Sequence, residues 1–197
     1  MELSVESFSG ADIARFAHEL AGLRIQVFRE WPYLYEGSLA YEESYLRPLF
    51  SSQRSLCLTV RHQGQLVGAS TGLPLLEADP EFIQPFRSSP DPLHQLFYFG
   101  ESVLLEPFRG RGLGRQFFEL REQHAARLGF EQVAFCAVVR PQQHPLRPPR
   151  VRSLEPFWNS LGYQPLPGIQ ASYSWKDLDQ VQETSHPMQF WGKLLSL

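Results

Sequence analysis

The sequence predicts a mixed α/β domain: a central twisted sheet, mostly antiparallel, with one parallel pair and helices on its flanks. Three observations predict it. Two apolar runs, 55–60 and 66–72, meet at the turn Gln63-Gly64-Gln65, as the arms of a hairpin do. A strand at 96–105, a helix from Leu113 and a strand at 131–139 make a right-handed crossover, hence a parallel pair. Alternating segments at 171–175 and 188–194 close the chain as a further antiparallel pair.

The 197 residues suit one domain, 1–197, with a full core. A hydrophobic share of 43% and a charged share of 20% are those of a soluble globular protein. A net charge of −3 argues against a nucleic-acid partner. No segment approaches the roughly 20 apolar residues of a membrane span. Glu2, Glu6 and Asp12 stand where a signal peptide would be apolar. The two cysteines, Cys57 and Cys136, lie inside apolar runs and read as free thiols in a reducing compartment, so a cytoplasmic location is expected.

Taken in order, Leu3, Val5 and Phe8 alternate as a first edge strand. Asp12 can cap a helix from Ile13, and Ile13, Phe16, Leu20, Leu23, Val27 and Phe28 recur at helical spacing. Pro32 ends that helix near Glu30. The aromatic loop that follows carries Trp31, Tyr33 and Tyr35. It reads either as a plug on the core or as the wall of a pocket. Residues 40–50 suggest a second short helix. Gly68-Ala69-Ser70-Thr71-Gly72 matches the spacing of a serine nucleophile elbow, but no helix signal follows, so it is set aside. Residues 77–95, with Pro80, Pro85, Pro90 and Pro92, read as a helical turn and an irregular loop near a binding site. Gly100 interrupts the long strand 96–105 and marks a bulge or a close backbone approach. The helix from Leu113 should bury Leu113, Phe117, Leu120, Ala125 and Leu128 and stop at Gly129. Arg140 to Arg152 is a basic, proline-rich loop, either solvated or a lid over an anion. A short helix over 153–161 ends at Gly162.

The stretch Val103-Leu104-Leu105-Glu106-Pro107-Phe108-Arg109-Gly110-Arg111-Gly112-Leu113-Gly114-Arg115 organises the rest. A strand ends, glycines turn the backbone so that N–H groups face inward, and a helix start adds free donors and the positive end of its dipole. Arg109, Arg111 and Arg115 can pair with phosphate oxygens. A phosphate-rich ligand is expected. No Lys follows the glycines, which excludes the Walker pattern, and their alternate spacing fits the dinucleotide fingerprint poorly.

Arg109-x-x-Gly112-x-Gly114, after a strand ending in Pro107, resembles the pyrophosphate loop of the GNAT superfamily of acyl-CoA-dependent N-acetyltransferases. Phe157-Trp158-Asn159-Ser160-Leu161-Gly162-Tyr163 is similar to that family's late aromatic motif. The resemblance implies acetyl-CoA as co-substrate, with Val103, Leu104, Leu105 and Arg109 through Arg115 around it. It implies that Gly100 bulges the strand and opens a gap for the pantetheine arm. It implies that a backbone N–H, of Leu104 or Leu105, meets the thioester oxygen. It also implies that the chain can pair as a homodimer.

Direct transfer to an amine needs a base, an oxyanion donor and an acid for the leaving thiolate. Glu101 is the first candidate base, with a solvated or arginine-paired carboxylate as its other reading. His144 is a further acid–base candidate, and Cys136 a nucleophile if it is not a core thiol. Where many relatives carry a tyrosine acid, this chain has Trp158, whose indole only donates. Trp31, Tyr33, Tyr35 and Arg140 suggest a small amine acceptor with an apolar part and an anionic group. The histidines show no metal spacing, and no metal is expected. A non-catalytic acyl-CoA-binding or regulatory module, and an interaction domain that keeps the fold alone, are the rival readings.

Overall fold

The computed structural model describes residues 3–89 and 92–195; the loop proline Pro90 lies outside them. Seven strands carry the molecule: β1 (Ser4–Phe8), β2 (Leu56–His62), β3 (Gln65–Pro74), β4 (Leu96–Leu104), β5 (Gln132–Val138), β6 (Gln164–Trp175) and β7 (Thr184–Leu194). They form one sheet in the order β1-β2-β3-β4-β5-β7-β6. Each neighbouring pair is antiparallel except β4 with β5.

Gln63 and Gly64 turn the β2–β3 hairpin with φ of 51° and 82°, the paired positive values that match strand twist in a two-residue turn. The parallel pair needs a crossover, which α5 (Leu113–Arg127) provides. Gly129 follows it with φ of 83°, the left-handed conformation of a helix stop.

Helices cover both faces. On one lie α1 (Ala17–Phe28), α2 (Leu39–Tyr45), α3 (Arg47–Ser51) and α4 (Pro80–Ile83), over a core that includes Leu20, Leu46, Leu73, Tyr98 and Phe190. On the other, α5 and α6 (Glu155–Ser160) cover Phe97, Phe99, Phe135 and Tyr163. Ser70 lies inside β3, in the sheet, so the elbow spacing carries no nucleophile turn.

Two helix expectations need correction. The segment after β1 is a 3₁₀ helix, Gly10–Phe16, and the α-helix begins at Ala17. Gly10, Ile13 and Phe16 are its buried residues, a spacing of three that matches the 3₁₀ turn. Residues 40–50 form two helices, because Pro48 starts the second. On α5 the buried face includes Arg121 and His124, while Leu128 is exposed.

Candidate active site

The bulge falls at Gly100 and Glu101. Ser70 pairs with Ser102 and Gly72 with Phe99, so Thr71 alone opposes two residues of β4. The Glu101 N–H, displaced from the ladder, donates to Thr71 Oγ1 at 3.3 Å. A Cβ on residue 100 would lie 2.5 Å from that same oxygen, so glycine is required by close approach. Parallel pairing of β4 with β5 stops at Tyr98 and Ala134. Beyond it β5 stays with β7, and a gap opens beside residues 100–104.

The N–H of Leu105 donates to Val67 O at 3.0 Å. Antiparallel alternation then turns the Leu104 N–H toward the gap. Of the two expected oxyanion donors, Leu105 is therefore occupied and Leu104 is open.

The glycine turn follows. Gly110 and Gly112 have φ of 74° and 83°, and Gly112 caps α5. Nothing lies within 4 Å of a Cβ built on either, so the space over the turn is open. The first turn of α5 carries no acidic residue to compete for an anion. Arg109 Nε donates to Leu104 O at 2.8 Å and its Nη1 to Glu30 at 2.8 Å. Arg111 donates to Pro107 O at 3.1 Å. Arg115 is exposed at the start of the helix.

On the α1 face, Glu101 is 5% exposed and paired with Arg24 of α1, which also pairs with Glu42 of α2. The Arg24 guanidinium lies over the rings of Tyr45, at 4.2 Å, and Phe28, at 5.0 Å. Burial alone would lower its pKa, but Glu101, Tyr45 and Glu42 outweigh burial and raise it. Glu101 lines a narrow cleft with Tyr45, Leu49, Thr71, Asp79, Phe82 and Tyr98. A second, wider groove, bounded by Leu96, Val133 and Leu166, contains none of these carboxylates.

On the α5 face, Arg121 is 1% exposed. Its Nη1 donates to Thr71 O at 3.2 Å and Glu101 O at 3.4 Å, the carbonyls of the bulge. No carboxylate pairs with it among the described residues, and burial lowers its pKa to about 10.

Other expected residues stand elsewhere. Arg140 is buried rather than solvated. Its Nε and both Nη donate to Pro32 O, Tyr33 O, His186 and the two oxygens of Asp177, which takes up all five N–H groups. It clamps the aromatic loop to the segment after β6 and has no donor for an acceptor anion. Cys136 Sγ lies 3.1 Å from the Tyr98 hydroxyl, and burial pushes its pKa up to about 12, which suits a core thiol and not a nucleophile.

His144 packs edge-on against Trp31, and its Nδ1 accepts from the Leu146 N–H. Its ligand atom, with those of Asp177 and Asp179, lies within a 4.8 Å cluster, but Asp177 is already paired with Arg140. Tyr33 packs on Phe28 and Trp175 as a plug. Burial raises the pKa of Tyr35, and its hydrogen bond to Glu42 raises it further. Trp158 packs against Phe135 and Trp191 at 5.0 and 5.1 Å, inside the α5-side core.

Arg24, Glu42, Asp79 and Arg121 are the residues the sequence reading missed. Two had a signal. Arg24 follows Leu20 by four positions, and Arg121 sits in the run Leu113, Phe117, Arg121, Ala125, so each charge stands on an apolar helical stripe. Glu42 and Asp79 had none.

A bulged strand, a splayed parallel pair and a glycine turn capping the crossover helix define an acyltransferase fold. Residues 24–147 match the model of the acetyltransferase (GNAT) family, and the chain belongs to that family. No curated protein matches the sequence. Among solved structures, an acyl-CoA N-acyltransferase from Pseudomonas aeruginosa superposes with a TM-score of 0.60 at 18% identity, covering 98% of this chain and 99% of that one. An N-acetyltransferase from Staphylococcus aureus Mu50 gives 0.58 at 10% identity over 100% of both chains. A ribosomal-protein-alanine N-acetyltransferase from Brucella melitensis gives 0.58 at 12%, covering 98% and 99%. At these identities the likeness is one of fold. Among the described residues, no helix is long and apolar enough to cross a membrane.

Proposed function

We propose that the chain is a single-domain N-acetyltransferase moving an acetyl group from acetyl-CoA to an amine of a small acceptor, by direct transfer in a ternary complex. The observation that carries this reading is the bulge. It sets the open Leu104 N–H on the gap side and the Glu101 carboxylate in a cleft on the α1 face.

Residues 110–115 and the start of α5 bind the pyrophosphate through backbone N–H groups, with Arg109, Arg111 and Arg115 around it. The Leu104 N–H donates to the thioester oxygen as charge develops there. Glu101 takes a proton from the acceptor ammonium, which frees the nitrogen lone pair to attack. The N–C bond forms and the C–S bond breaks. The second amine proton ends on the leaving thiolate, by way of water, since Trp158 has no acidic hydrogen to give. The free thiols Cys57 and Cys136 suit a reducing compartment such as the cytoplasm.

The packing of Trp158 favours one other reading, a non-catalytic acyl-CoA-binding module. Initial velocities of CoA release across a panel of amines decide between them. Intersecting patterns in donor and acceptor, retained by Cys136→Ala, are expected. Parallel patterns lost in Cys136→Ala mean a covalent route. Acetyl-CoA binding without turnover on any amine means a binding module.

A further inference from the structure

The cleft beside the bulge holds more negative charge than it balances. Its Glu101 shares Arg24 with Glu42, one cation for two carboxylates. Glu101 Oε1 is buried with no hydrogen-bond partner among the described residues. A buried carboxylate oxygen without a donor is costly, and such a group calls for an explanation. An ammonium offers three donors and a positive charge.

A second carboxylate lines the same cleft. Asp79 is half-buried and pairs with no cation among the described residues. Glu81, two residues on, likewise has no cation. Loss of water raises the pKa of both, and the Asp79 charge raises Glu81 further. The walls around them are apolar and aromatic: Tyr45, Leu49, Leu73, Phe82 and Tyr98. Phe82 packs on Tyr98 at 5.2 Å and on Tyr45 at 6.0 Å. Such faces suit methylene groups and the flanks of a cation. An anionic acceptor has no counterpart here. Arg24 is doubly paired, and Arg140 has all its donors in use.

We propose that the acceptor is a small aliphatic diamine, one ammonium meeting Glu101 at the bulge, the second held by Asp79, and the carbon chain between them against Tyr45, Phe82 and Tyr98. The assignment rests on the N-acyltransferase reading and names its substrate class. The amine at Glu101 gives up one proton to the carboxylate and is acylated, while the amine at Asp79 stays charged and fixes the chain length.

The test is acetyl-CoA turnover on a series of α,ω-diamines and on n-alkylamines of matching length. The best diamine should exceed its monoamine in kcat/KM by at least about ten-fold, mostly through KM. Asp79→Asn should bring that ratio close to one. Equal turnover of monoamine and diamine, or a preference that survives Asp79→Asn, overturns the proposal. Turnover on no amine at all overturns the enzymatic reading instead. Calorimetry with a diamine on the CoA-loaded protein then decides the inference. Binding weakened by Asp79→Asn sustains it, and no binding overturns it.

Discussion

Two buried arginines meet the same bulge from opposite faces of the sheet, and the chain treats them differently. Arg24 reaches it from α1 and takes the side chain of Glu101, with Glu42 as second partner. Arg121 reaches it from α5 and takes only carbonyls, Thr71 O and Glu101 O. Both are almost fully buried, yet the pKa of Arg24 is raised and that of Arg121 lowered. Burial alone therefore does not set the direction of the shift; carboxylates paired directly with the guanidinium reverse it at Arg24. The α1 face is built to hold charge, while the α5 face is built to hold backbone.

The contrast can be broken first through stability. Arg24→Met leaves two buried carboxylates without a cation and should cost about 3–5 kcal/mol in urea denaturation. Arg121→Met removes an unpaired buried cation and its bonds to Thr71 O and Glu101 O, the second of which keeps the Ser70 hydroxyl as donor. Its cost should be smaller, about 1–3 kcal/mol. The reverse order would show that Arg121 carries the larger charge interaction. The backbone-built side can be probed at Gly112, whose φ of 83° disfavours any side chain although the space around it is open. Gly112→Val should destabilise the fold by about 1–3 kcal/mol and weaken acetyl-CoA binding at least about ten-fold by calorimetry.

The smallest effect is one of pH, and it touches both faces. His124 on α5 and His186 on β7 both have depressed pKa values, chiefly through burial. The unfolded chain binds more protons than the folded one wherever these groups titrate. Their contribution is thus present above about pH 6.5 and lost as pH falls through the depressed values. The melting temperature should fall between about pH 7.5 and about pH 5.5, and less steeply in His124→Gln or His186→Gln. A melting temperature that rises over that range would contradict the assignment.

The same contrast explains what could be read in the sequence. The loop from Val103 to Arg115 is local: strand, glycines and helix start follow one another, so their spacing is visible. The bulge is nearly so, because Gly100 sits alone in an apolar strand. The cleft brings Asp79 beside Glu101, and Glu101 draws Arg24 and Glu42 to it through ion pairs; the four come from four elements or loops, and nothing along the chain announces that they meet. Arg140 shows the same limit from the other side. Among prolines and arginines it read as part of a solvated lid, and Asp177, 37 residues on, draws it into the interior. Charge pairing over long sequence separations is a property of the folded surface, so residue spacing carries little of it.

The most direct test is Glu101→Gln. The change is isosteric and leaves Arg24 balanced one to one by Glu42, so folding should be kept. The expected result is a fall in kcat of about 10²–10⁴ with acetyl-CoA affinity unchanged. Turnover equal to that of the unaltered chain would contradict the role of Glu101, and with it the site built around the bulge.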